Sequence, residues 1–322
     1  MKLKNRLLAP SNIPTTLWNP TSDVLSLPVL LSDAYIKLVD AKGLRELGIS
    51  RDQKSGPVGG ISKESTEQHF AQAFDGSAAR ALLAVLDPKL EAGSTSNTFI
   101  RCTAGNRISL TDAPCGAGAA SFTFLSALAE LRAKKILPRL PLDVHLIGAE
   151  LSIHARELAE NILAQINPSL IEQGIFVSSE FLSWDVTNQN SNTDLVTKCI
   201  QTSTKSEFKL LVVANFNGFL ERENKRKDAQ KQLDELFRYA SGDRSFALWI
   251  EPPMNSAISK GGLLSWIHQQ FSTFWKGFGT TEVNGEDENS YTSESRFQLP
   301  LQPSKTARVG LAVVPIILDR KS

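Results

Sequence analysis

Apolar and polar positions along the chain fall into two textures that meet near residue 100. Before it the pattern is broken: Pro10, Pro14, Pro20 and Pro28 punctuate an irregular arm, and a helix-like piece runs from Asp33 to Leu47 and stops at Gly48. Gly56-Pro57-Val58-Gly59-Gly60 predicts a flexible break. Ser65 to Leu86 carries apolar residues at helical spacing with Gly76 as an interruption, while Ala92 to Asn97 reads as a loop and Cys102 to Asn106 as a turn. These signals predict an irregular and helical region over 1–100, placed as a lid or substrate element, and a second domain over 101–322.

Beyond residue 100, β-type and α-type runs alternate. Ile108 to Thr111, Asp143 to Glu150, Ile175 to Trp184, Phe208 to Asn215 and Ser245 to Glu251 read as strands. The helices between them follow an apolar run after Gly118, Ile153 to Ile166 (stopped by Pro168), Leu195 to Gln201, Asn224 to Tyr239 and, last, Leu263 to Trp275. Phe208 to Asn215 is nearly continuous in apolar residues, as a strand buried on both faces requires. The tail changes character: Ser295 to Leu301 and Arg308 to Leu318 are extended runs with no helix between them, a closing β pair. Five strand–helix units plus that pair predict an α/β fold, a doubly wound, mostly parallel seven-stranded sheet with a helical N-terminal extension. Ligands of such sheets sit beyond the carboxyl ends of the strands. Those ends are Asp112, Glu150, Asp185, Asn215 and Glu251, all polar.

Composition narrows the field without choosing a function. With 35 Lys and Arg against 34 Asp and Glu the net charge is +1, so no global field draws the chain to nucleic acid or an anionic membrane. Three scattered cysteines, Cys102, Cys115 and Cys199, argue against a disulfide framework and for a reducing, cytoplasmic setting. The opening residues lack the apolar core of an export signal, and the longest apolar run, Val309 to Leu318, is of strand length, so no membrane association is expected. His69, His145, His154 and His268 show no ligand spacing, no metal site is expected, and no Gly-Lys-Ser/Thr follows a glycine turn. Trp18, Tyr35, Phe70 and Phe74 suit packing on a planar acceptor, and suit an ordinary core equally.

The most informative stretch is RISLTDAPCGAGAASFTFLSALAEL, Arg107 to Leu131. It reads as a strand ending on Asp112, a turn through Pro114-Cys115-Gly116-Ala117-Gly118, and a helix. Gly116 and Gly118 lack the Cβ that would keep a nucleoside from the backbone, and the helix entrance offers free N–H groups. TDAPCGAGAAS resembles the first motif of the class I S-adenosylmethionine (SAM)-dependent methyltransferases, an acid followed by alternating glycines, with Pro114 standing where the first glycine is usual. The resemblance covers Arg107 to Leu318 and implies a Rossmann-like methyltransferase fold whose last strand is inserted antiparallel, with SAM as cofactor. It places that cofactor against Asp112, Ala113, Pro114, Gly116 and Gly118, then Glu150 and Leu151 at the ribose, Trp184 and Asp185 at the adenine with Phe181 nearby, and Asn215 after the fourth strand. The acceptor side falls to Asn215, Phe216, Asn217 and Glu251, with Pro252 and Pro253 as a rigid turn. VVANFNGFL and LWIEPP are also similar to a ribosome-assembly methyltransferase-like family, whose four-cysteine metal set this sequence lacks.

The implied activity is methyl transfer from SAM to an acceptor, a small molecule, RNA or protein. A non-catalytic SAM-binding assembly or interaction protein is the alternative. An NAD-dependent Rossmann dehydrogenase comes third, because Pro114, the 38-residue gap from Asp112 to Glu150 and the terminal β pair all disfavour it.

Overall fold

A computed structural model of the chain describes residues 6–50, 60–253 and 290–318. The expected helix Leu263 to Trp275 lies outside them. In chain order the elements are β1 (Trp18–Asn19), β2 (Val24–Leu25), α1 (Val29–Ala41), α2 (Arg45–Ile49), α3 (Lys63–Leu86), α4 (Thr95–Ala104), β3 (Arg107–Asp112), α5 (Ala119–Ala133) and β4 (Leu142–Ala149). There follow α6 (Ile153–Glu172), β5 (Ile175–Leu182), α7 (Gln189–Ser203), β6 (Phe208–Ala214), α8 (Asn217–Arg222), α9 (Arg226–Ala240), β7 (Ser245–Glu251), β8 (Tyr291–Leu299) and β9 (Gln302–Ile317).

One sheet orders the strands β1-β2-β8-β9-β7-β6-β3-β4-β5. Its five central βα-type strands, β5-β4-β3-β6-β7, are all parallel, and β9 runs antiparallel between β7 and β8. The mostly parallel α/β sheet and the antiparallel insertion of the last strand agree with the sequence reading. The strand count does not: there are nine strands rather than seven. The two extra are the two-residue β1 and β2 of the N-terminal arm, and β2 pairs in parallel with β8. Their physical role is to cover a sheet edge whose backbone groups would otherwise be unpaired, while Leu17 and Leu25 are fully buried beside them.

Alternation along β6 shows how both faces are closed. Leu210 and Val212 pack into the layer that also holds residues of α1, α3, α5 and α6, whereas Leu211 and Val213 pack with α7 and α9 on the other side. The first layer draws on residues from both sides of position 100, including Tyr35, Phe70, Phe124 and Val313. Among the described residues no helix is long and apolar enough to cross a membrane.

Several local expectations yield to packing. α3 runs unbroken through Gly76, because fourteen of its side chains are buried and a single glycine costs only about 1 kcal/mol in a helix. α6 continues past Pro168 to Glu172, its last turn held by buried Ile166 and Leu170. α4 (Thr95–Ala104) takes in the end of the expected loop Ala92 to Asn97 and the start of the expected turn Cys102 to Asn106, since Phe99, Ile100 and Cys102 are buried. The helix expected from Asp33 to Leu47 is split into α1 and α2 at Gly43, whose φ of +67° is unsuited to a helix.

The site follows from this topology. The chain leaves β3 towards β4 and β5 on one side and returns to β6 on the other, so the carboxyl ends of β3, β4 and β6 diverge around a crevice at the switch point.

Candidate functional site

At that crevice lies a cavity of about 340 Å³, within the roughly 300–1,000 Å³ usual for small-molecule sites. Its inner half is built from the turns after β3, β4 and β5. Asp112 is buried at the end of β3, where its Oδ2 accepts from the Ser121 N–H at 3.2 Å in the first turn of α5. Its Oδ1 is buried and has no protein partner. Burial pushes the Asp112 carboxyl up to about 7, offset by the Ser121 contacts and reinforced by the nearby Glu150.

The glycine turn after Asp112 behaves as its residues predict. Gly116 takes φ +53° and Gly118 φ +81°, a region that favours glycine. At Gly116 an added Cβ would meet nothing within 4 Å, so its missing side chain keeps cavity space open. At Gly118, the N-cap of α5, a Cβ would collide with the Phe122 ring. The Cys115 thiol is buried and pushed well above its usual range, chiefly by desolvation, so it packs rather than reacts.

Glu150 closes the cavity from the end of β4. Its Oε2 accepts from the Gly116 N–H at 3.1 Å and its Oε1 from the Ser152 N–H at 2.9 Å. Desolvation raises its pKa, and these backbone bonds together with the Arg156 charge work against that rise. Each carboxylate oxygen keeps a further lone pair for an outside donor. Ser152 is the N-cap of α6, and its hydroxyl lies 2.9 Å from that of Thr66 on α3, which ties the N-terminal helix to the wall.

Asp185 follows β5 and makes an Asx-type turn, its Oδ1 accepting from the Thr187 N–H at 2.9 Å and hydroxyl at 2.7 Å. Trp184 beside it is buried, with its Nε1 donating to Asn192 at 3.2 Å and its ring 5.9 Å from that of Phe216. Phe181 is turned onto Gly148 and is not part of the cavity wall.

Of the residues expected at the cofactor, Asp112, Pro114, Gly116, Glu150, Leu151, Trp184, Asp185 and Asn215 come together on this wall. Ala113 and Gly118 do not. Ala113 is fully buried in the layer under α7 and α9, its N–H donating to Val212 at 3.0 Å, and Gly118 serves the packing of α5. On the acceptor side Asn215 and Phe216 line the cavity, but Asn217 and Glu251 do not. The Glu251 Oε1 instead accepts from the N–H groups of Phe216 and Asn217 and from Trp249 Nε1, each at 2.9 Å, beneath the loop after β6. Asn215 holds a left-handed φ of +55° and accepts from Arg80 of α3, which also donates to the Gly310 carbonyl at 2.9 Å.

The outer half holds Phe70 and Phe74, which the sequence offered for packing on a planar acceptor, together with residues that carried no assigned role. Thr66, His69, Phe70, Phe74 and Ser77 present one face of α3, and Phe219 and Arg222 come from α8. The spacing of the α3 set was visible as a helical stripe; that it faces a cavity was not. Tyr35 and Trp18 stay away from it, the Tyr35 hydroxyl donating to the Ala71 carbonyl at 2.7 Å and Trp18 to Asp23 at 3.3 Å. Among the described residues no cluster of His, Cys, Asp and Glu is placed to hold a metal.

No protein-family model matches the chain, and no curated protein matches it. The solved structures similar to it include two candidate methyltransferases. One is a candidate class I SAM-dependent methyltransferase from Listeria monocytogenes, 15% identical, covering 90% of this chain and 87% of its own length with a TM-score of 0.33. The other is a candidate SAM-dependent methyltransferase from Methanococcus maripaludis, 12% identical, covering 85% of this chain and 98% of its own with a TM-score of 0.32. Scores and identities of this size leave cofactor and acceptor to the geometry of the cavity itself.

Proposed function

We propose that this chain is a SAM-dependent methyltransferase whose cofactor lies in the inner half of the cavity. The observation that carries the reading is the meeting of three features at the β3 switch point. They are an open glycine turn at Gly116, an acid, Glu150, that accepts directly from the Gly116 N–H at 3.1 Å, and a buried, half-unpaired Asp112. The unpartnered Asp112 oxygen and the Cβ-free space at Gly116 fit a polar, partly cationic nucleoside. Glu150 would accept from the ribose hydroxyls through its remaining lone pairs, Asp185 would take a polar edge of the adenine with Trp184 as an apolar wall, and Asp112 would face the amino-acid part. When bound, SAM supplies a methyl group already activated on a sulfonium, so the chain's own task is to orient an acceptor and exclude water.

Residues 1–100 act in this reading as the lid and substrate element, supported by the α3 face on the cavity and its Thr66–Ser152 tie. Thermal-shift titrations with SAM, S-adenosylhomocysteine, NAD and ATP test the assignment. A stabilisation of about 2.7 kcal/mol at a hundredfold excess over Kd, seen with the two SAM-type ligands alone, is the expected result. A response only to NAD would install the dehydrogenase, and silence with all four would sink the cofactor assignment. Binding of S-adenosylhomocysteine without turnover of any acceptor would favour the assembly role.

A further inference from the structure

The cavity is electrically divided. All three of its carboxylates, Asp112, Glu150 and Asp185, stand on the inner half, whereas the outer half between α3 and α8 carries His69 and Arg222 and no acid. Burial and the Arg222 charge both push the His69 pKa down, so this imidazole is neutral near pH 7 and Arg222 supplies the permanent charge. Arg222 is exposed at the rim, and its contact with neighbouring Glu223 uses Nε at 3.3 Å, which does not engage the two Nη groups. Arg80 lies just behind, bonded to Asn215, and Lys225 sits 5.3 Å over the Phe219 ring.

The same half has aromatic walls. Phe216 and Phe219 are stacked, with ring centroids 5.6 Å apart and planes 7° from parallel, and Phe70 and Phe74 reach the cavity from the facing helix. Aromatic rings on both sides with a guanidinium at the rim select a flat group that ends in negative charge, since Arg offers a planar fork for a carboxylate or phosphate. A flexible aliphatic cation would meet the wrong shape and the wrong sign.

We propose that the outer half is the acceptor subsite and that it takes a planar aromatic group bearing an anionic substituent, with the Phe216–Phe219 pair as the aromatic wall and Arg222 as the anion contact. The assignment rests on the methyltransferase reading for its meaning as an acceptor site, and the subsite can be probed apart from it.

The probe is benzoate, titrated by NMR into the full chain alone and into the chain saturated with S-adenosylhomocysteine, beside benzamide as its neutral analogue and cyclohexanecarboxylate as its non-planar one. Benzoate is expected to bind at least about threefold tighter than either analogue. Phe219→Leu should weaken it by about two- to tenfold, from the loss of one aromatic contact. Arg222→Gln should weaken it by up to about fivefold, the scale of an exposed charge pair, and should bring benzoate and benzamide together. Equal binding of the three probes, binding of none, or unchanged benzoate affinity in both folded variants would overturn the proposal. Failure of S-adenosylhomocysteine to bind would instead sink the methyltransferase reading and leave the probe comparison on the chain alone to decide the subsite.

Discussion

Strands β4 and β7 bring the chain in the same way to a glutamate, just after β4 and as the last residue of β7, whose carboxylate accepts backbone N–H groups from an adjoining turn. At the end of β4, Glu150 takes Gly116 and Ser152 and faces a cavity; at the end of β7, Glu251 takes Phe216, Asn217 and the Trp249 indole and is 1% exposed. One is a half-buried wall group with lone pairs to spare, and the other is a sealed support for the loop that carries Asn215. The difference lies in the neighbouring turn rather than in the acid. Beside Glu150 stands a glycine that leaves space, while beside Glu251 stand the buried Phe216 and Trp249, which fill it. A polar residue at a strand end thus marks where a site can be, and the side chains of the adjacent loop decide whether it is one.

The largest expected effect breaks the sealed end. Glu251→Ala would orphan three buried donors and should cost about 3–5 kcal/mol in urea unfolding at constant m-value. Glu251→Gln keeps the acceptor oxygen and should recover most of that loss. The same pair reads out pH. Burial pushes the Glu251 carboxyl from an ordinary 4.5 up to about 7, so the folded chain holds this proton where the unfolded one has released it. The stability this contributes is complete below about pH 4.5 and is lost as pH rises through about 7. Asp112, raised from 3.8 to about 7, adds a slope of the same sign. Glu251→Gln should flatten its share of the curve, and an unchanged curve would refute the burial assignment.

The open end should respond in affinity rather than stability. Glu150→Ala is expected to weaken SAM binding at least about tenfold through loss of a charge-assisted contact of about 1.5–3 kcal/mol, while costing only about 1 kcal/mol of folding because water can reach its former partners. Isothermal titration beside urea unfolding separates the two. Equal SAM affinity in wild type and a folded Glu150→Ala would remove Glu150 from the ribose.

The two glycines give the smallest and most local version of the comparison. Gly118→Ala must push aside Phe122 at a φ of +81° and should cost about 1–3 kcal/mol of stability. Gly116→Ala meets open space at a φ of +53°, so about 1 kcal/mol of backbone strain is expected, with the added methyl reducing S-adenosylhomocysteine affinity instead. The reverse ranking in thermal midpoints would mean that the cavity does not extend over Gly116.

Much of this was legible in the order of residues. The strand, glycine turn and helix from Arg107 to Leu131, the polar strand ends, and the closing β pair are local signals, because apolar periodicity and the backbone freedom of glycine act within a few residues. They determined the parallel α/β core and most of the inner wall of the cavity. Tertiary structure decided everything that depends on which distant segment is adjacent. It added β1 and β2 to the β8 edge, carried α3 through Gly76, and formed α8, where Asn217 to Arg222 had carried no helix signal. It also turned the Thr66–Ser77 stripe of α3 towards the cavity and the Glu251 carboxylate away from it. A stripe of apolar and small polar residues at helical spacing has the same sequence whether it meets a core or a ligand, and a strand-end acid has the same sequence whether its neighbours leave room or fill it. Those choices are made by packing between segments far apart in the chain, which is why only the folded structure could make them.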